Sequence, residues 1–139
     1  MLHRAKKKAR DLGIRVHLEQ MDVQNLEFED NAFDTVVGSF VFCSVPDSIK
    51  GLKKVGRVCK PGGKIILLEH MLSANRVLAW LMNLVNPVVV RLMGPNINRK
   101  MVENVANSGL KVERVMDLAA GIFKLIEARK KTSFLNVDR

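Results

Sequence analysis

Two apolar runs that do not alternate constrain this chain most: residues 33–41, FDTVVGSFV, and residues 64–68, KIILL. A strand with one wet face alternates apolar and polar residues. A nearly continuous apolar run predicts a strand covered on both faces, the habit of parallel sheets. Between the runs lies a helical pattern opened by Pro46 and Asp47, residue types that suit a first helical turn. Its apolar stripe is Ile49, Leu52, Val55 and Cys59, while Lys50, Lys53, Lys54 and Arg57 take the other side. Strand, helix and strand in this order predict a parallel crossover unit.

The flanking segments extend the pattern. Leu2, Ala5, Ala9 and Leu12 recur at helical spacing opposite Arg4, Lys6, Lys7, Lys8 and Arg10, and Gly13 supplies a stop. Val16–Met21 reads as a strand ending at Asp22. Asn98 is placed to cap a helix running through Ser108, stopped by Gly109. Val112–Leu118 and Ile122–Ala128 read as two strands of a hairpin turning on Ala119-Ala120-Gly121. The predicted fold class is α/β: a doubly wound, mostly parallel sheet with a C-terminal antiparallel hairpin, one domain over 1–130 and a basic tail over 131–139. Open sheets of this kind bind ligands beyond the carboxyl ends of their strands. That rule gathers Asp22, the Gly38-Ser39-Phe40 stretch and Glu69-His70 on one rim.

Charge narrows the partners. The net charge of +9 is concentrated at the two ends, and the long middle is close to neutral. With no Tyr, one Trp and no interleaving of aromatic and basic residues, nucleic acid is not the expected partner. Cys43 and Cys59 sit in apolar surroundings without paired spacing, so they read as reduced thiols in a cytoplasmic protein, and no metal site is expected. The apolar region from Val77 to Met93 is interrupted by Asn83, Asn86, Pro87 and Arg91, which argues against a membrane span.

The stretches MDVQNLEFEDNAFDTVVGSFVFCSVPD and GLKKVGRVCKPGGKIILLEH resemble the middle of a class I S-adenosylmethionine-dependent methyltransferase. The subgroup they are most similar to is the ubiquinone/menaquinone-biosynthesis type and its small-molecule relatives. An acid after a strand, a Phe-Asp strand, a Val-Pro-Asp helix start and a Lys-Pro-Gly-Gly turn are jointly specific, and the resemblance runs over about residues 1–130. The family's opening strand, glycine-rich loop and second strand have no counterpart here. The resemblance therefore implies a Rossmann-like methyltransferase fold truncated at its N-terminus, with an open sheet edge through which chains could associate.

What the resemblance implies about chemistry is concrete. S-adenosylmethionine would be the methyl donor and the acceptor a small, apolar molecule such as a quinone precursor, a lipid-like compound or a thiol. Asp22 and the Val23 amide would meet the adenine, although Asp22 also suits a plain loop cap. Gly38, Ser39 and Phe40 would line the methionine end, with a packing role open for Gly38. His70 is the rim's candidate general base. Glu69 would contact substrate, orient a neighbour or cap a loop. The apolar segment 75–96, with Arg76 and Arg91 at its flanks, reads as a buried helix pair or as a lid compatible with peripheral membrane contact. A non-catalytic half-domain that needs a partner for the missing loop, or an inactive truncation, is the alternative.

Overall fold

The computed structural model describes residues 2–70, eight positions between 77 and 91, residues 100–119 and residues 123–131. The described elements are α1 (Leu2–Asp11), a single 3-10 turn (Val23–Asn25), β1 (Phe33–Ser39), α2 (Ser48–Val58), β2 (Cys59–His70), α3 (Met101–Asn107), β3 (Leu110–Leu118) and β4 (Phe123–Lys130). The four strands form one sheet in the order β1-β2-β4-β3. β1 and β2 pair in parallel, and β4 is antiparallel to both of its neighbours. Three strands thus run one way, and the reversed β4 is inserted between β2 and β3.

α1 ends in a Schellman motif: the Ile14 amide donates to the Ala9 carbonyl and the Gly13 amide to that of Arg10, with Gly13 at φ 65°. The expected strand over Val16–Met21 does not form; these residues have no regular structure. Alternation supplies only a candidate strand, and no sheet edge in the described structure takes this one up. α2 begins two residues later than Pro46 suggests, because Asp47 is the cap and its carboxylate accepts the Lys50 amide at 2.9 Å. Asn98 lies outside the described residues, and α3 starts after Lys100, which makes no side-chain cap bond. The hairpin forms, with strands longer than their apolar pattern: Leu110 pairs with Lys130 and Leu118 with Phe123. Residues 132–139 of the basic tail lie outside the described residues.

The Lys-Pro-Gly-Gly turn folds into the first part of β2. Gly62 has φ 75°, a conformation open to glycine at little cost. Gly63 is needed for space, because a Cβ there would stand 2.8 Å from the Asp34 carbonyl and 2.7 Å from Cys59 Sγ. The pairing with β1 shifts register at this point and then runs evenly from Thr35↔Lys64 to Ser39↔Leu68.

The core lies on one face of the sheet. Ile65, Leu67, Ile126 and Ala128 pack against Leu52 and Val55 of α2 and Met101 and Val105 of α3. Ser48 accepts a 3.0 Å bond from the Asn104 side-chain amide, which ties the two helices together. The expectation that both faces of β1 are covered is not met: Val37 is 68% exposed, and α1 buries only Ala9. β1 is also an edge strand among the described residues, so its side away from β2 presents unpaired backbone groups.

Candidate functional site

β1 and β2 end side by side, and the chain leaving β1 is shaped by one buried carboxylate. Glu69 follows Ile65 and Leu67 on the core face of β2 and is 0% exposed. Its Oε1 accepts the amides of Val41 at 2.9 Å and Phe42 at 3.0 Å, and its Oε2 accepts the amide of Cys43 at 3.2 Å. Three successive N–H groups converging on one anion form a nest. Charge-assisted bonds of this kind are about twice as strong as neutral ones. Both oxygens accept bonds from the loop, the geometry of a loop cap.

Phe40 is the residue that turns the chain toward Glu69. Its φ of 54° lies in the left-handed region, a conformation that costs a residue with a Cβ about 1–2 kcal/mol. Its amide still extends the parallel ladder by donating to the Leu68 carbonyl at 2.8 Å. Its ring meets that of Phe123 edge to face with centroids 5.8 Å apart. Strain of this kind persists where surroundings over-determine it, here the nest on one side and the ladder on the other. Gly38 packs tightly: a Cβ would sit 3.0 Å from Leu67 Cδ2 and 3.4 Å from the Phe42 ring. Ser39, the last residue of β1, is exposed at its carboxyl end.

Asp22 caps the 3-10 turn, with Oδ1 accepting the Gln24 amide at 2.9 Å. The Gln24 side-chain nitrogen stands 3.3 Å from both Asp22 oxygens, while its oxygen accepts the Asp47 amide at 3.1 Å. Gln24 thereby fixes Asp22 to the entry of α2, next to the 41–43 loop. Nothing in the sequence singled out Gln24; a lone polar residue two places after an acid carries no distinctive pattern. Val23 packs on α2 where Gly51 leaves room, its Cγ1 lying 3.3 Å from where a Cβ would be. Beside these residues opens a cavity of about 410 Å³ lined by Met21, Val23, Val36, Gly38, Val41 and Phe42, among others.

His70 ends β2 opposite Phe123, and its side chain lies outside the described residues. Cys43 is buried and donates to the Phe40 carbonyl at 3.4 Å. Burial pushes its thiol pKa above the ordinary value, and the adjacent Glu69 carboxylate adds to the shift. A thiol kept protonated in this way is a poor nucleophile. Among the described residues no cluster of His, Cys, Asp and Glu could hold a metal ion.

Residues 1–67 match the family description "Methyltransferase domain". The chain is 38% identical over 72 residues to phosphatidylethanolamine N-methyltransferase of Cereibacter sphaeroides, covering 50% of this chain and 36% of that protein. It is 44% identical over 69 residues to the ubiquinone/menaquinone biosynthesis C-methyltransferase UbiE of Bdellovibrio bacteriovorus, covering 50% of this chain and 29% of that one. This chain thus spans about a third of the length of these curated relatives. In structure it is similar to the cyclase SpnF, with TM-score 0.73, 16% identity and coverage of 92% of this chain and 61% of that one. It is also similar to an S-adenosylmethionine-dependent methyltransferase of Thermotoga maritima described as a possible histamine N-methyltransferase, with TM-score 0.66, 20% identity and coverage of 92% and 70%. The fold is the Rossmann-like fold of the methyltransferases. A cyclase among these likenesses is a reminder that the fold alone does not fix the reaction.

Proposed function

We propose that this chain forms the acceptor-facing part of an S-adenosylmethionine-dependent methyltransferase acting on a small, apolar acceptor of the quinone-precursor or lipid class. The observation that carries the reading is the match of residues 1–67 to the methyltransferase domain, which spans both Asp22 and the loop that Glu69 holds. The two named relatives, one acting on a phospholipid and one in quinone biosynthesis, support an apolar acceptor.

The residues fit the donor. Asp22 Oδ2 has only a 3.3 Å contact with the Gln24 side chain, and a carboxylate oxygen can accept more than one bond. The carboxylate would accept from the adenine amine, and the Val23 amide would donate to a ring nitrogen. The cavity of about 410 Å³ with apolar walls, in the range of small-molecule sites, takes Val23 and Gly38 of these residues into its lining. Gly38, Ser39 and Phe40 would line the methionine end. When bound, the donor supplies an electrophilic methyl group on a cationic sulfonium.

The chain's own residues would contribute mainly position, the largest lever in a transfer between two bound molecules. Glu69 would hold the 41–43 backbone in place as a positioning residue. His70, at the end of β2, would take the proton of an acceptor that arrives un-ionised.

The test is transfer of radiolabelled methyl from S-adenosylmethionine to a demethylated quinone or to phosphatidylethanolamine, followed by solvent extraction. Label in the apolar extract that falls at least tenfold in His70→Ala is the expected result. Absence of label with every acceptor, in a chain that binds the donor, would sink the acceptor assignment. Absence of donor binding as well would favour the non-catalytic half-domain.

A further inference from the structure

The eight described positions between 77 and 91 are all helical. On a wheel of 3.6 residues per turn the numbers 77, 80, 81, 84, 85, 87, 88 and 91 span about 160°. All eight are exposed, and six of them are large and apolar: Val77, Trp80, Leu81, Leu84, Val85 and Val88. Trp80 is 64% exposed, Leu84 60% and Val88 58%. Large contiguous apolar patches on a surface mark a site of interaction.

Charge indicates what covers this one. From Met71 to Val102 the chain has no acidic residue and four cations, Arg76, Arg91, Arg99 and Lys100. Arg91 stands at the end of the exposed stripe itself. An apolar face carrying a Trp, within a stretch of sequence that has cations and no acids, suits the boundary between lipid head groups and acyl chains. No described helix is long and apolar enough to cross a membrane.

We propose that the helical face of Val77, Trp80, Leu84 and Val88 docks on a bilayer of anionic phospholipid. The apolar side chains enter the head-group layer and Arg91, at the end of the stripe, meets a lipid phosphate. This contact is independent of methyl transfer.

Trp80 is the only tryptophan in the chain, so its fluorescence reports this face alone. The experiment titrates the 139-residue chain with phosphatidylcholine vesicles that contain or lack about a third phosphatidylglycerol, an anionic lipid of the kind such helices bind. The expected result is a blue shift with the anionic vesicles, weakened by salt and quenched by brominated acyl chains. Leu84→Glu should weaken partitioning about tenfold or more, with an unchanged unfolding midpoint because the side chain is exposed. No shift at millimolar lipid would overturn the proposal. So would a shift that grows with protein concentration without lipid, which indicates a second copy on this face. Vesicle binding that survives Leu84→Glu and vanishes when Lys6, Lys7 and Lys8 are replaced by Ser would assign the contact to α1 and overturn it too.

Discussion

Glu69 Oε1 accepts the backbone amide of Phe42 at 3.0 Å across 27 residues of sequence. The bond joins the end of β2 to the loop that leaves β1, and the adjacent amides of Val41 and Cys43 share the same carboxylate. Glu69→Ala would strand these amides in a largely buried loop, and should destabilise the fold by about 2–4 kcal/mol. Glu69→Gln keeps one acceptor oxygen but turns an NH2 group toward the Cys43 amide, and should lose about half as much. Urea unfolding reads both, and an alanine variant within about 0.5 kcal/mol of the parent would refute the nest.

The two glycines of the Lys-Pro-Gly-Gly turn should respond differently to alanine. Gly62 has positive φ and open space around it, so Gly62→Ala carries only conformational strain of about 1 kcal/mol. Gly63 would drive a Cβ onto the Asp34 and Lys60 carbonyls, so Gly63→Ala should lose about 3 kcal/mol. Equal melting temperatures for the two variants would contradict the packing.

Burial and Glu69 hold the Cys43 thiol neutral. The native state resists its ionisation, so the stability it contributes is complete below the ordinary thiol pKa and is lost as pH rises through the elevated native value. Alkylation of Cys43 in the folded chain should stay slow until the pH passes the usual thiol range. Rapid labelling at neutral pH, with the fold intact, would show the loop open.

The edge of β1, unpaired among the described residues, predicts association. Val37 is 68% exposed on a strand with no lysine or proline, and such edges template pairing with another chain. Size-exclusion chromatography with light scattering should find oligomers, or binding of a hydrophobic dye should reveal exposed apolar surface. Val37→Lys should reduce whichever is seen. A monomer that excludes dye and protects the amides of residues 33–41 would contradict it.

The apolar runs at 33–41 and 64–68, the intervening helix and the hairpin were legible because each carries a periodicity or a continuous apolar signal. The Val16–Met21 strand was not, since alternation proposes a strand while only a partner edge makes one. Strand ends placed Ser39 and Glu69 side by side at the close of β1 and β2, whereas Asp22 follows no strand and is held by Gln24 instead. Glu69's three bonds and the left-handed turn at Phe40 depend on backbone direction after β1, which no residue pattern near position 40 announces. Gln24 acts through contacts to Asp22 and Asp47, the latter 23 residues away, and such links appear only once the chain is folded.

The account rests on a donor site built around Asp22, and calorimetric titration with S-adenosylmethionine measures it directly. The chain should bind the donor with micromolar affinity. Asp22→Ala should weaken that binding by about 1–3 kcal/mol, the value of a hydrogen bond to a charged group, while Asp22→Asn, which keeps an acceptor, should lose less. No heat of binding at millimolar donor, or equal affinity in Asp22→Ala with the fold intact, would contradict it.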